Sequence, residues 1–222
     1  KRADLSYTVK YLEQGTDKQL REPKIVDNQT FKAEVTESAI NIDGYTALEP
    51  KSQTITIAVE GNVINFYYEK RHDLSYTVEY YYDGKIDNSK TETIGGQTFE
   101  TVIKSYTDKN IDGYRFDRHE NVPLTIDTGT NLIKVFYVKD SFEYTVRYIG
   151  EGMSEPFATE NDKAEFGSTI PVNAEGRTDV PSGYLADDYT IDRPGAAVTS
   201  NKENNVVTVT YRKADVGYTV VY

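Results

Sequence analysis

The chain has 222 residues, with nineteen Tyr, eight Phe, no Trp, no Cys and a formal net charge of −11. Without Cys there are no disulfides, no thiolate metal sites and no Cys nucleophile. The charge divides as −3, −2 and −6 over residues 2–70, 71–139 and 140–214, so no basic stripe offers itself to nucleic-acid phosphates or anionic membranes.

The first predicted element is the strand "SYTVKY" (Ser6–Tyr11), where Tyr7, Val9 and Tyr11 alternate with Thr8 and Lys10. That period of two marks a half-buried strand, and Tyr suits it because the ring packs while the hydroxyl reaches a polar partner. The next stretch, "TFKAEVTESAI" (Thr30–Ile40), could form a short helix, whereas its counterpart "TFETVIKSYT" (Thr98–Thr107) is just as compatible with a strand. "IDGY" (Ile42–Tyr45) places a Gly where a turn with positive φ precedes a strand. "TITIAV" (Thr54–Val59), the turn signal "EGN" (Glu60–Asn62) and "NVINFYYEK" (Asn62–Lys70) then read as a β-hairpin. Its last strand turns Ile64, Phe66 and Tyr68 inward.

The same order then returns. "SYTVEY" (Ser75–Tyr80), "EYTVRY" (Glu143–Tyr148) and "GYTVVY" (Gly217–Tyr222) repeat the opening phrase at steps of 69, 68 and 74 residues. "GQTF" (Gly96–Phe99) and "FGSTI" (Phe166–Ile170) answer "NQTF" (Asn28–Phe31). A second "IDGY" (Ile111–Tyr114) and "PSGY" (Pro181–Tyr184) follow, and "NLIKVFYVK" (Asn131–Lys139) and "NVVTVTYRK" (Asn205–Lys213) close the second and third copies. The inward sets are Ile133, Val135, Tyr137 and Val207, Val209, Tyr211. In the third copy Pro171 argues against a long helix. The expected fold class is mainly β, or α+β if the crossover is helical, in three tandem small modules forming an elongated array. The repeats are 1–70, 71–139 and 140–214, with 215–222 the first strand of a truncated following repeat, or else the last element of the third. No Gly/Ser or Pro-rich linker separates them, so a fairly stiff rod is expected.

These motifs resemble the MucBP (mucin-binding protein) repeats of Gram-positive surface proteins, three times over and across essentially the whole chain. The internalin-type B repeat is the nearest confusable family. Both imply a β-grasp-like fold, with first and last strands adjacent and parallel and a crossover covering one face. On that arrangement the outward residues Lys10 and Asn65, Glu79 and Lys134, and Arg147 and Thr208 become cross-strand partners. The resemblance implies an extracellular, cell-wall-anchored adhesin or stalk whose relatives touch mucin or other host glycoproteins. It carries over no ligand residue, because the shared letters (Tyr7, Val9, Gly44, Tyr45, Ile64, Phe66) are core and turn positions.

Candidate chemistry is sparse. His72 and His119 are the only histidines, and neither sits in a metal-ligand spacing or beside a nucleophile elbow. Asp83 with Asp87, Asp162, and Asp187 with Asp188 could meet Ca²⁺ but match no EF-hand loop and read as solvated acidic loops. "NQT" (Asn28–Thr30) fits a glycosylation sequon yet falls in the repeated step and reads as a turn. Lys10 and Asn65 have the residue types of an isopeptide pair, but both read as outward-facing, so a solvated pair is expected. Tyr80, Tyr81 and Tyr82 form a run of three tyrosines; Tyr80 belongs inward, and Tyr81 outward, where it could stack on a sugar or pack along a strand. No catalytic, cofactor or metal residue is assigned, and the ligand-binding residues stay unknown. No apolar run reaches transmembrane length, and any export leader would lie outside this segment. The expected function is a non-enzymatic adhesin spacer with weak, multivalent contact to mucin or other host glycoproteins and with neighbouring repeats as partners. A pure stalk presenting a distal domain, or a substrate-docking region of a surface enzyme, is the alternative.

Overall fold

A computed structural model describes residues 2–215 and 217, and apart from Asp215 and Gly217 the expected strand over 215–222 lies outside them. The fold is mainly β; among the described residues there is no α-helix, and one 3₁₀ turn spans Lys202–Asn204. The chain forms two compact units, one of Lys1–Glu79, Asn88–Thr107 and His119–Lys134, the other of Tyr80–Asp87, Asp108–Arg118 and Val135–Tyr222.

In the first unit the strands are β1 (Leu5–Glu13), β2 (Gln19–Gln29), β3 (Glu34–Ser38), β4 (Tyr45–Ala47), β5 (Ser52–Thr56) and β6 (Val63–Lys70). The main sheet runs β2-β1-β6-β4, and β3 pairs with β5 in a second, two-stranded sheet. Strands β1 and β6 are parallel, with Lys10 opposite Asn65 as expected from the sequence. Alternation does the sorting: Tyr7, Val9 and Tyr11 face Ile64, Phe66 and Tyr68 in the core, while Lys10 stays in water.

Two expectations fail here. The stretch Thr30–Ile40 contains β3 rather than a helix, because Phe31, Ala33 and Val35, two residues apart, all pack on the core. The C-terminal hairpin is absent: β5 pairs with β3, not with β6. The intervening turn instead drops Ile57 fully into the core.

The second repeat supplies β7 (Leu74–Tyr82), β8 (Lys85–Ile86), β9 (Glu92–Gln97), β10 (Val102–Ile103), β11 (Tyr114–Glu120), β12 (Leu124–Thr125) and β13 (Leu132–Lys139). Its sheet runs β11-β13-β7-β8, with β9 also on β7, and β10 pairs with β12. The third repeat supplies β14 (Ser141–Gly150), β15 (Ala158–Glu165), β16 (Tyr184–Ile191) and β17 (Val206–Lys213), in the order β15-β14-β17-β16. Strands β14 and β17 are again parallel, with Arg147 opposite Thr208.

Two polar devices recur in all three copies. The last-strand Tyr is buried to its hydroxyl, which donates to the crossover segment: Tyr68 to the Ile40 carbonyl at 3.0 Å, Tyr137 to the Asp108 carboxylate, and Tyr211 to the Ala174 carbonyl at 2.6 Å. The Asn that opens the last strand spans two segments. The Asn205 Nδ2 donates to the Glu143 carbonyl at 3.0 Å and the Thr199 carbonyl at 2.7 Å, while its Oδ1 accepts from the Thr199 amide at 2.8 Å. Asn131 does the same with Ser75 and Asp127, and Asn62 with Ser6 and Ala58. A buried amide satisfied at donor and acceptor stabilises a unique arrangement, because breaking it strands several polar groups.

Candidate functional site: the joints between repeats

The feature built twice from the same parts is the joint. In the first unit Gly44 has φ of +80°, and a side chain there would place its Cβ 2.4 Å from the Phe99 ring. Only Gly meets both demands, the left-handed backbone and the ring lying directly on it. Tyr45 supports Phe99 edge-on, with ring centroids 5.5 Å apart. The backbone continues the contact: the Arg71 amide donates to the Gly44 carbonyl and the Phe99 amide to the Arg71 carbonyl, each at 2.9 Å. Lys70 reaches Glu100 at 2.9 Å, with Lys18 at 3.9 Å. The Lys70 hydrogen bond holds the Glu100 carboxyl below the usual glutamate range. The Tyr45 hydroxyl is buried without a hydrogen-bond partner among the described residues. Burial, then the charges of Glu100 and Glu13, push its ionisation up.

The second joint lies within the second unit. Gly113 has φ of +82°, and a Cβ on it would stand 2.4 Å from the Phe166 ring. The Asp140 amide donates to the Gly113 carbonyl at 2.9 Å and the Phe166 amide to the Asp140 carbonyl at 2.8 Å. Tyr114 and Phe142 flank Phe166 at 6.3 and 6.1 Å. Lys139 reaches Glu165 at 3.5 Å and Asp83 at 3.8 Å. Here the Tyr hydroxyl is satisfied, donating to Asp83 at 3.0 Å.

In the sequence Gly44 and Gly113 stand as turn letters and Phe99 and Phe166 as landmarks of the repeat, with no local mark that they are partners. The available signal was that each "GY" Gly lies some fifty-five residues before a Phe that also recurs. The aromatic run falls as its register required: Tyr80 and Tyr82 are buried and Tyr81 is half-buried on the outer face. Tyr81 stacks on Phe136 at 4.9 Å, and the Arg118 guanidinium lies 3.9 Å over the same Phe. This cross-strand ladder already uses one face of the Tyr81 ring, which favours strand packing over a sugar platform.

Open grooves line the outer faces of the sheets but differ in chemistry. One of about 370 Å³ is lined by Lys10, Leu12, Asp17, Gln19, Asn65 and Tyr67. Another, of about 700 Å³, is lined by Glu143, Thr145, Asn161, Lys163, Lys202 and Glu203. The histidines are held apart in role: His72 meets Thr98 at 2.9 Å at the first joint, and His119 meets Tyr106 at 3.2 Å. Among the described residues no group of three acidic or His side chains could hold a metal. Asp83 faces Lys139 and Tyr114, Asp188 faces Arg212 at 3.4 Å, and Asp162 caps the Lys163 amide at 2.8 Å.

No family model matches the chain, and no curated protein is similar to it in sequence. Among solved structures it is similar to streptococcal high identity repeats in tandem (SHIRT) domains 3–4 from a cell surface protein. The likeness is 12% in identity, covers 60% of this chain and 98% of that one, and has a TM-score of 0.24. At that score it decides neither fold nor function. The sheets, joints and sequence repeats described above stand on their own.

Proposed function

We propose that the chain is a non-enzymatic tandem-repeat segment of a Gram-positive cell-surface protein, extracellular and anchored to the wall through other parts of that protein. It serves as a spacer of three repeats, 1–70, 71–139 and 140–214. The observation that carries this reading is the joint. A Phe seated on a positive-φ Gly, a two-step amide relay and a Lys–Glu pair recur at both boundaries, where a flexible tether would need none of them. Short, structured connections favour repeats that keep their spacing under solvent buffeting.

The resemblance to MucBP repeats favours a second role, weak contact with mucin or other host glycoproteins that gains strength by repetition. The unlike outer grooves point to unlike contributions from the repeats rather than one shared pocket. Retention of the chain on purified mucin, before and after glycan removal and with the chain single or clustered on beads, separates the two roles. Glycan-dependent retention of clustered chain supports adhesion; no retention in any format leaves the spacer alone.

A further inference from the structure

Each repeat enters through its first strand and leaves through its last, and those two strands lie side by side and parallel where the register is described. In a parallel pair the incoming and outgoing ends lie at opposite ends of the pair. Tension along the chain therefore drags β1 and β6 past one another lengthwise. It loads every rung between them together, whereas an antiparallel hairpin would open one rung at a time.

The rungs are continuous. Pairing runs from Thr8 opposite Val63 to Glu13 opposite Tyr68, and is extended by the Thr8 amide to the Asn62 carbonyl at 2.9 Å and the Gln14 amide to the Tyr68 carbonyl at 2.8 Å. In the third repeat it runs from Thr145 opposite Val206 to Gly150 opposite Tyr211, with Thr145 to Asn205 at 2.9 Å and Glu151 to Tyr211 at 2.8 Å. The second repeat shows the same outer bonds, Thr77 to Asn131 at 2.9 Å and Asp83 to Tyr137 at 3.1 Å. The loaded pair is interior: β2 and β4 flank β1 and β6, and β15 and β16 flank β14 and β17. Water is thus kept from the bonds it would have to replace.

The Asn amide adds a side-chain rung at the end where tension enters. Asn62, Asn131 and Asn205 each donate to the carbonyl just before the first-strand Tyr, on Ser6, Ser75 and Glu143. Asn205 is fully buried and Asn131 nearly so.

We propose that the chain is built to carry tension, with the parallel first and last strands of each repeat acting as a shear clamp pinned at its leading end by Asn62, Asn131 and Asn205. The proposal rests on the spacer reading for the origin of the load, since a segment between a wall and a tethered object is pulled from both ends. The clamp itself is a property of each sheet.

Single-molecule pulling of the whole chain tests it, because unfolding under force reports the barrier along the pulled direction. One arm pulls through the termini. The other uses the Asp4→Cys, Glu60→Cys double variant in the otherwise Cys-free chain, with handles at the adjacent leading ends of β1 and β6 so that the pair peels. The terminal arm is expected to need a several-fold higher force to unfold the first repeat. Asn205→Ala is expected to lower the third repeat's force under terminal pulling; a merely structural Asn would weaken thermal stability without changing its rank among the three repeats under load. If Asn205→Ala does not fold, the two pulling directions still decide. Equal forces in both directions, or a terminal force as low as the peeling one, overturn the clamp. Neither result bears on the joints, so the spacer reading stands or falls separately.

Discussion

At the first joint Lys70 reaches the acid just after the ring, Glu100, at 2.9 Å; at the second Lys139 reaches the acid just before it, Glu165, at 3.5 Å. The Tyr beside the ring differs as well: Tyr45 leaves its hydroxyl without a partner among the described residues, while Tyr114 gives its own to Asp83. What does not differ is the Gly with φ near +80°, the ring on its Cα and the amide relay. The joint is therefore specified by backbone and packing. The charges around it are exchangeable, as half-exposed ion pairs contribute little.

The glycines test this most severely. Gly44→Val and Gly113→Val force a β-branched residue into the left-handed region, costing about 1–3 kcal/mol, and drive a Cβ into the ring. Gly183 has φ of +92° but, among the described residues, nothing within 4 Å of a would-be Cβ. Gly183→Val thus carries the strain alone, and the excess loss at the two joints in thermal melts measures the ring contact. An equal loss at all three positions would remove the Phe from the account.

The next effect is on pH, and it sharpens the contrast between joints and cores. Tyr148 is pushed up to about 12, by burial first and then by its hydrogen bond to Glu160. Its stabilisation is complete below the ordinary tyrosine value of about 10 and is lost as pH rises from there toward the raised value. Glu160 is held low by its hydrogen bond to Arg177, so its contribution is present above the ordinary glutamate range and lost as pH falls through the lowered one. Melts of the whole chain across pH, compared with Tyr148→Phe, are expected to show that alkaline loss shrinking in the variant.

Removing the ring is milder. Phe99→Ala and Phe166→Ala are each expected to cost about 1–2 kcal/mol, from half-buried apolar area, and by similar amounts. Smaller still is the tyrosine pair. Tyr114→Phe breaks one hydrogen bond, about 0.5–1.5 kcal/mol, whereas Tyr45→Phe is neutral or slightly stabilising because it removes an unpartnered hydroxyl. Last come the charges: a double-mutant cycle on Lys70 and Glu100 is expected to give about 0–1 kcal/mol, more than Lys139 with Glu165, and both should fade in high salt.

Much of the sheet was legible because a period of two leaves little choice: Val9, Ile64, Val135 and Val209 all landed in the core. The parallel neighbours Lys10–Asn65 and Arg147–Thr208 followed from the implied topology. The hairpin reading of 54–70 failed because turn letters say that a chain bends, not which strand it bends toward, and Ile57 drew the bend into the core. Asn62 looked like a turn residue for the same reason, and Asn131 and Asn205 stood as the first letters of closing strands; their role appears only when Ser6, Ser75 and Glu143 come alongside. The Phe-on-Gly joint was hidden by distance in sequence, since no local pattern links Gly44 to Phe99.

The most direct measurement is a spin-label distance across the first joint, between Glu22→Cys and Lys104→Cys, both exposed positions of the first unit. A joint fixed by Phe99 on Gly44 predicts one narrow distance distribution that broadens when Gly44→Val or Phe99→Ala is added. A broad distribution in the unaltered joint, or a narrow one indifferent to both substitutions, would contradict it.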